Sequence, residues 1–225
     1  SYEGGILIEN SSQTFEFKKE TGIYYIHAIL YDKYGQSKQI ISKSLNVTTP
    51  SSKTENQSTK TFSPTNDKSI CGIINFLYQK SNKNIENEIN ITASSYSTGN
   101  EPRYSLSFDD LNKFHCSKNT PNSWICYEFK NHRIIPTHYT IRTMCGGSNA
   151  GHLRNWVIEC STDNNSWETI DEEVNNSSLN GKNYVHTFKI NKQISTEFRY
   201  IRIRSTGKDW CNSNWLTLNL FEIYG

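Results

Sequence analysis

Long apolar runs are missing from this chain. The best candidate, residues 23–30, is broken by His27 and falls well short of the ~18 residues that a membrane-crossing helix needs. Methionine is confined to Met144, so no initiator is present, and a signal peptide or upstream domains are expected outside the chain. An excess of either charge is missing as well. The 24 basic and 22 acidic residues leave +2, which gives no overall field for holding nucleic acid or an anionic membrane. Catalytic signatures are absent too: there is no G-x-S-x-G elbow, no phosphate-cradling glycine loop, no H-E-x-x-H, no C-x-x-C and no cysteine with an evident histidine partner. The six histidines show no metal-ligand spacing. The chain reads as a non-enzyme without a resident cofactor.

What is present is β-type alternation cut by polar turns. Trp156, Ile158 and Cys160 alternate with Val157, Glu159 and Ser161, and Ile201 and Ile203 with Arg202 and Arg204, so each segment is expected to bury one face. Asp163-Asn164-Asn165-Ser166 is a turn signal, because short polar side chains bond to nearby backbone and tolerate left-handed conformations. Nearer the start, Phe15 and Phe17 mark one strand, residues 23–31 a second and residues 39–47 a third, with turns at Thr21-Gly22 and Asp32-Lys33-Tyr34-Gly35. The Thr21-Gly22-Ile23-Tyr24-Tyr25 and Tyr34-Gly35 pattern resembles the last strands of an immunoglobulin-like domain, so residues 1–49 are expected to be a partial segment of that type. Residues 50–68, rich in Thr, Ser, Asn and Lys, cannot bury enough surface to offset chain entropy and are expected to be a flexible linker. Ile70, Ile73, Ile74, Leu77 and Tyr78 then form one helical stripe, which Asn66 or Asp67 could cap.

The stretch after the helix opens with Ile91-Thr92-Ala93-Ser94-Ser95-Tyr96. It continues through Trp124-Ile125-Cys126-Tyr127-Glu128-Phe129, Asn155-Trp156-Val157-Ile158-Glu159-Cys160 and Phe198-Arg199-Tyr200-Ile201-Arg202-Ile203-Arg204, and closes with Leu218-Asn219-Leu220-Phe221-Glu222-Ile223-Tyr224-Gly225. This ordered series resembles the discoidin, or coagulation factor 5/8 type C, family. The lead-in Gly72-Ile73-Ile74 and the Pro121-Asn122-Ser123-Trp124 and Pro136-Thr137-His138-Tyr139 segments are most similar to its protist versions. The resemblance implies a mainly β protein, in which residues 69–225 form a galactose-binding-like jelly-roll β-sandwich preceded by a short helix. It also implies a binding module whose ligand, a glycan or a protein surface, meets loops at one end. Residues 97–103, 144–153 and 206–215 fall in those loops.

The ligand-facing set expected there is Asn100, Arg103, Asn149, His152, Arg154, Trp210, Asn212 and Trp215. An indole face beside amide side chains offers stacking with directional hydrogen bonds, and a planar guanidinium suits carboxylate or bidentate sugar recognition. Asp109-Asp110 could supply carboxylates to a structural calcium ion. Cys145 and Cys211 fall in two of the converging loops and are the pair that could close a disulfide in an oxidising compartment. The first loop lacks the exposed Trp and Leu of the clotting-factor versions, so membrane insertion by that route is not expected.

Two roles remain open at this point. Six cysteines, an even number, and the sequons at Asn10, Asn46, Asn56, Asn90, Asn164, Asn175 and Asn176 favour adhesion or recognition at the cell surface. The likeness to protist versions, often fused to intracellular BTB or kinase domains, favours an intracellular interaction module of a larger signalling or ubiquitin-adaptor protein.

Overall fold

A computed structural model describes residues 59–225 in full and, before them, the backbone of four strands. These are β1 (Gly22–Tyr24), β2 (His27–Tyr31), β3 (Ser37–Ile41) and β4 (Leu45–Val47). β1 pairs with β4 and β2 with β3, both antiparallel. Tyr24 faces Leu45 while His27 faces Ile41, so the register slips by one residue between the two pairs. The two strands expected over 23–31 and 39–47 each correspond to two described strands, β1 and β2 for the first and β3 and β4 for the second. The strand expected at Phe15 and Phe17, the turn at Asp32-Lys33-Tyr34-Gly35 and residues 50–58 of the expected linker lie outside the described residues.

The second compact unit begins at Lys60, earlier than the expected boundary at residue 69. Residues 60–68 are bound to it: Phe62 and Gly225 exchange backbone hydrogen bonds in both directions (2.8 and 3.1 Å), and the Phe62 ring meets Phe76 at 5.3 Å. Helix α1 (Ile73–Lys80) follows and buries Ile74 and Leu77. Its N-terminus is not capped by the expected Asn66 or Asp67. Asn66 Oδ1 accepts from the Lys68 N–H, and the Asp67 carbonyl accepts from Thr187. The cap comes from the far end of the sequence, where the Glu222 carboxylate accepts the N–H groups of Ile74 (2.8 Å) and Asn75 (2.9 Å). Gly72 makes this approach feasible, since a Cβ there would stand 2.4 Å from the Ile223 carbonyl oxygen and 2.8 Å from Glu222 Cδ.

The remaining strands are β5 (Ile89–Ala93), β6 (His115–Cys116), β7 (Trp124–Phe129), β8 (His138–Arg142), β9 (Trp156–Ser161), β10 (Glu168–Glu173), β11 (Val185–Lys189), β12 (Tyr200–Ser205), β13 (Thr217–Leu218) and β14 (Leu220–Tyr224). They form a five-stranded sheet in the order β10-β9-β12-β7-β5, a three-stranded sheet β11-β8-β14 and a short β13-β6 pair, all antiparallel. Facing side chains fill the space between the sheets. Tyr127 stacks on Phe221 at 4.8 Å, Tyr139 on Phe188 at 4.9 Å, and Trp156 meets Phe188 edge-on at 5.4 Å. The buried indole and phenol are satisfied in series: Trp156 Nε1 donates to Tyr139 Oη, which donates to Asp171.

β9 departs from simple alternation, because all six of its residues are buried. On its outer face Arg202 and Arg204 of β12 lie across Glu159 and hold its carboxylate at 2.6 and 2.7 Å. Long arginine stems cover what the sequence pattern leaves to water. Arg202 also stacks on Trp167 at 3.9 Å, which places that half-buried indole on the outer face rather than in the core.

Candidate functional site

Every loop expected to bind leaves the sandwich at one end, where β5, β8 and β12 finish and β9 and β14 start. The second loop, residues 144–153, folds back on itself. His152 is fully buried, and its Nε2 lies 3.0 and 2.9 Å from the Gly146 and Gly147 carbonyls, so the imidazole holds the loop closed instead of meeting a ligand. This corrects the expectation for His152. The imidazole N–H supplies an internal donor to both carbonyls, that of Gly147 also accepting from the Ala150 N–H. The His152 carbonyl in turn accepts from the Trp210 N–H, which ties the second loop to the third.

The third loop is shaped by Asp209, which the sequence reading overlooked. Its Oδ1 accepts the N–H groups of Cys211 (3.0 Å) and Ser213 (2.8 Å), while Asn212 takes a left-handed φ of 63° at the exposed tip. Trp215 lies beside Gly151, where a Cβ would stand 3.1 Å from the indole, and it remains 36% exposed. Trp210 is half-buried. Its Nε1 donates to the Asn176 carbonyl, and the Arg154 guanidinium covers its ring at 4.8 Å while donating to Asn175 Oδ1. Trp210 and Arg154 therefore form one stacked unit, fastened through the indole N–H and the arginine Nε.

A further loop, residues 174–184, belongs to the same end and carried no functional signal in the sequence beyond its asparagines. Asn180 accepts from the Asn149 N–H at 2.7 Å and donates to Asn149 Oδ1 at 3.0 Å. Tyr184, 51% exposed, packs over Gly181, and its backbone is fastened to Thr143. Asn214 is held by Asn119 through its N–H (2.8 Å) and its amide (3.2 Å). The end of the sandwich thus presents two partly exposed rings, Trp215 and Tyr184, among amide groups on short, mutually braced loops. Such a surface can stack on an apolar ring face and offer both donors and acceptors around it.

The first loop contributes less than expected. The Asn100 backbone ties the loop down, its carbonyl accepting from Cys116 N–H and facing His115 Nδ1 at 3.2 Å. Arg103 is not brought to this end with the other residues. It lies over its neighbour Tyr104 and lines an open hollow of about 520 Å³ with Glu86, Asn87, Ile89 and Lys130 beside β5. Cys145 and Cys211 are both free thiols, so the disulfide considered for them is not formed. Asp109 is engaged by Lys83 (2.8 Å) and Tyr78 (3.0 Å), and Asp110 by the Asn112 N–H. Among the described residues no group of three or more His, Cys, Asp or Glu side chains could hold a metal ion, and no helix is long and apolar enough to cross a membrane.

Comparison with known proteins agrees with this architecture. In sequence the chain is 32% identical over 123 residues to the E3 ubiquitin-protein ligase Ufd4 of Drosophila melanogaster, covering 53% of this chain and 4% of that protein. In structure it is similar to CBM32-3 from a family 31 glycoside hydrolase of Clostridium perfringens, with a TM-score of 0.51, 15% identity, and coverage of 62% of this chain and 92% of that one. It is also similar to CpGH89CBM32-5 from the same organism, solved in complex with GalNAc-β-1,3-galactose. Here the TM-score is 0.50 at 16% identity, covering 61% of this chain and 95% of that one. At such identities the structural likeness establishes the jelly-roll fold. Residues 90–220 match the F5/8 type C domain, and the chain belongs to that family, the discoidin family.

Proposed function

We propose that this protein is a non-catalytic module that binds a glycan through the loop end of its sandwich. The observation that carries the reading is Trp215: a large indole left 36% exposed, seated beside Gly151 and surrounded by amide side chains. An apolar ring that stays in water on a rigid loop costs solvation free energy unless a ligand covers it. Trp215 would stack on a sugar ring, Tyr184 would flank it, and the exposed groups of Asn149 and Asn212 would bond to hydroxyls. Trp210, Arg154 and His152 would act as positioning residues. Adhesion or recognition at a cell surface is the role in which such a module would serve.

The test is a glycan array probed with the full chain and with Trp215→Ala. Binding should fall by about 1–3 kcal/mol, the usual cost of truncating an interface anchor, while the melting temperature changes little. Unchanged binding by the variant, or its unfolding, would place the site elsewhere.

A second reading is favoured by a separate observation, the 32% identity to a ubiquitin ligase of which this chain spans 4%. In this reading the same loops bind a protein, and the module serves within a larger ubiquitin-adaptor chain. A silent glycan array, together with protein partners captured by the parent and lost by Trp215→Ala, would favour it over the first.

A further inference from the structure

We propose that the free edge of β5 is a second binding site, which takes an acidic peptide segment in extended form as an added strand. β5 is the terminal strand of the five-stranded sheet and, among the described residues, pairs only with β7. The direction of its backbone groups follows from two bonds: Lys130 N–H donates to the Glu88 carbonyl, and Ser94 N–H donates to the Trp124 carbonyl. Even-numbered residues therefore face β7, so the N–H and C=O groups of Ile89, Ile91 and Ala93 point away from the sheet. Among the described residues no backbone group accepts or donates a bond on that side.

Exposed edges in native proteins are usually blunted by a bulge, a proline or a lysine. Ile-Asn-Ile-Thr-Ala has none of these, and its register with β7 runs without a shift. The hollow of about 520 Å³ lies along this edge, with Ile89 and Ile91 in its wall and Arg103 and Lys130 on its rim. Neither cation forms an ion pair among the described residues. Lys130 Nζ donates to the Glu86 carbonyl at 2.6 Å, and Arg103 to the neighbouring Tyr104 hydroxyl at 3.3 Å. With Glu86 also in the lining, the hollow keeps a surplus of one positive charge. The backbone groups would provide the affinity and the two cations the preference for carboxylates, as in other sheets that accept an added strand.

The experiment uses the full chain and a fluorescein-labelled acetyl-Glu-Val-Thr-Val-Glu amide, followed by anisotropy. The same peptide with Lys in place of Glu should bind at least tenfold more weakly, and Arg103→Glu with Lys130→Glu should reverse that preference. Ile91→Pro removes an outward N–H and none of the bonds to β7, so it should reduce binding at least tenfold. Should that variant fail to fold, the acidic peptide N-methylated throughout serves instead and should bind at least tenfold more weakly to the parent chain. Equal binding of the Glu and Lys peptides overturns the proposal. So does undiminished binding by a folded Ile91→Pro or of the N-methylated peptide, or dimerisation of the chain through this edge in place of peptide binding.

Discussion

His115 and Glu222 are buried titratable groups whose effects on stability run in opposite directions. Burial lowers the His115 imidazole from its ordinary value of 6.5 to about 4. Burial raises the Glu222 carboxyl from 4.5 to about 7, even though backbone N–H groups of Ile223, Asn75, Ile74 and Gly72 favour its ionised form. As pH falls from 6.5 to 4, the unfolded chain takes up a proton at His115 that the folded chain refuses, so stability is lost. For Glu222 the folded chain holds the extra proton between 4.5 and 7, so stability is gained as pH falls through that window. Each group accounts for about 3 kcal/mol at its limit, and over pH 4.5–6.5 the two largely offset. Urea unfolding at pH 5 and 7 should show Glu222→Gln losing more stability on acidification than the parent, and His115→Gln losing less. Parallel pH profiles for the three proteins would contradict this assignment. Neither group stood out in the sequence, since nothing local marks a polar residue for the core. His152 shows the reverse error: it sits in a loop, and loops are expected to be wet, yet this loop closes around its own imidazole. The turn at Asp163-Asn164-Asn165-Ser166 was legible, and Asn164 does adopt a left-handed φ of 64°, whereas the left-handed φ values of Asn149 (58°) and Asn212 (63°), read only as ligand-facing residues, were not foreseen.

Strands and the helix were legible as elements because periodicity is a local property. Trp156, Ile158 and Cys160 point inward as alternation requires, and Ile74 and Leu77 lie on the buried face of α1. What terminates α1 was not legible. Its cap is a residue 148 positions away, whereas the sequence rule looks for a capping side chain within the preceding turn. The outer face of β9 failed to read for a related reason, because the arginines that cover Glu159 belong to β12. Gly72 offers a test of the helix's attachment. In Gly72→Ala the new Cβ meets backbone at 2.4 Å and the Glu222 carboxyl carbon at 2.8 Å, so α1 must shift from β14. A loss of about 1–3 kcal/mol in urea unfolding is expected, the usual cost of overpacking a tight contact. A variant as stable as the parent would show that the helix dock tolerates movement.

For the whole molecule, the family pattern gave the sandwich and the end at which its loops gather, but not the start of the unit. A linker rich in Thr, Ser and Asn gives no local sign that Phe62 will pair with the last residue of the chain. A piece beginning at Lys60 should therefore melt cooperatively at a higher temperature than one beginning at Ser69, which loses the Phe62–Gly225 pairing and the Phe62–Phe76 contact. Equal melting temperatures would mean that residues 60–68 only lie on the unit without stabilising it. The Glu222 cap has a consequence for how the protein is made. Helix α1 leaves the ribosome long before the strand that completes it, and at about 5–20 residues per second the interval is roughly 7–30 s. Throughout that time the first turn of the helix has no carboxylate to receive its N–H groups, and the stripe of Ile74 and Leu77 has no finished sheet to cover it. Closure of the sandwich thus waits for the strand that carries Glu222, which locks into place a helix made 148 residues earlier.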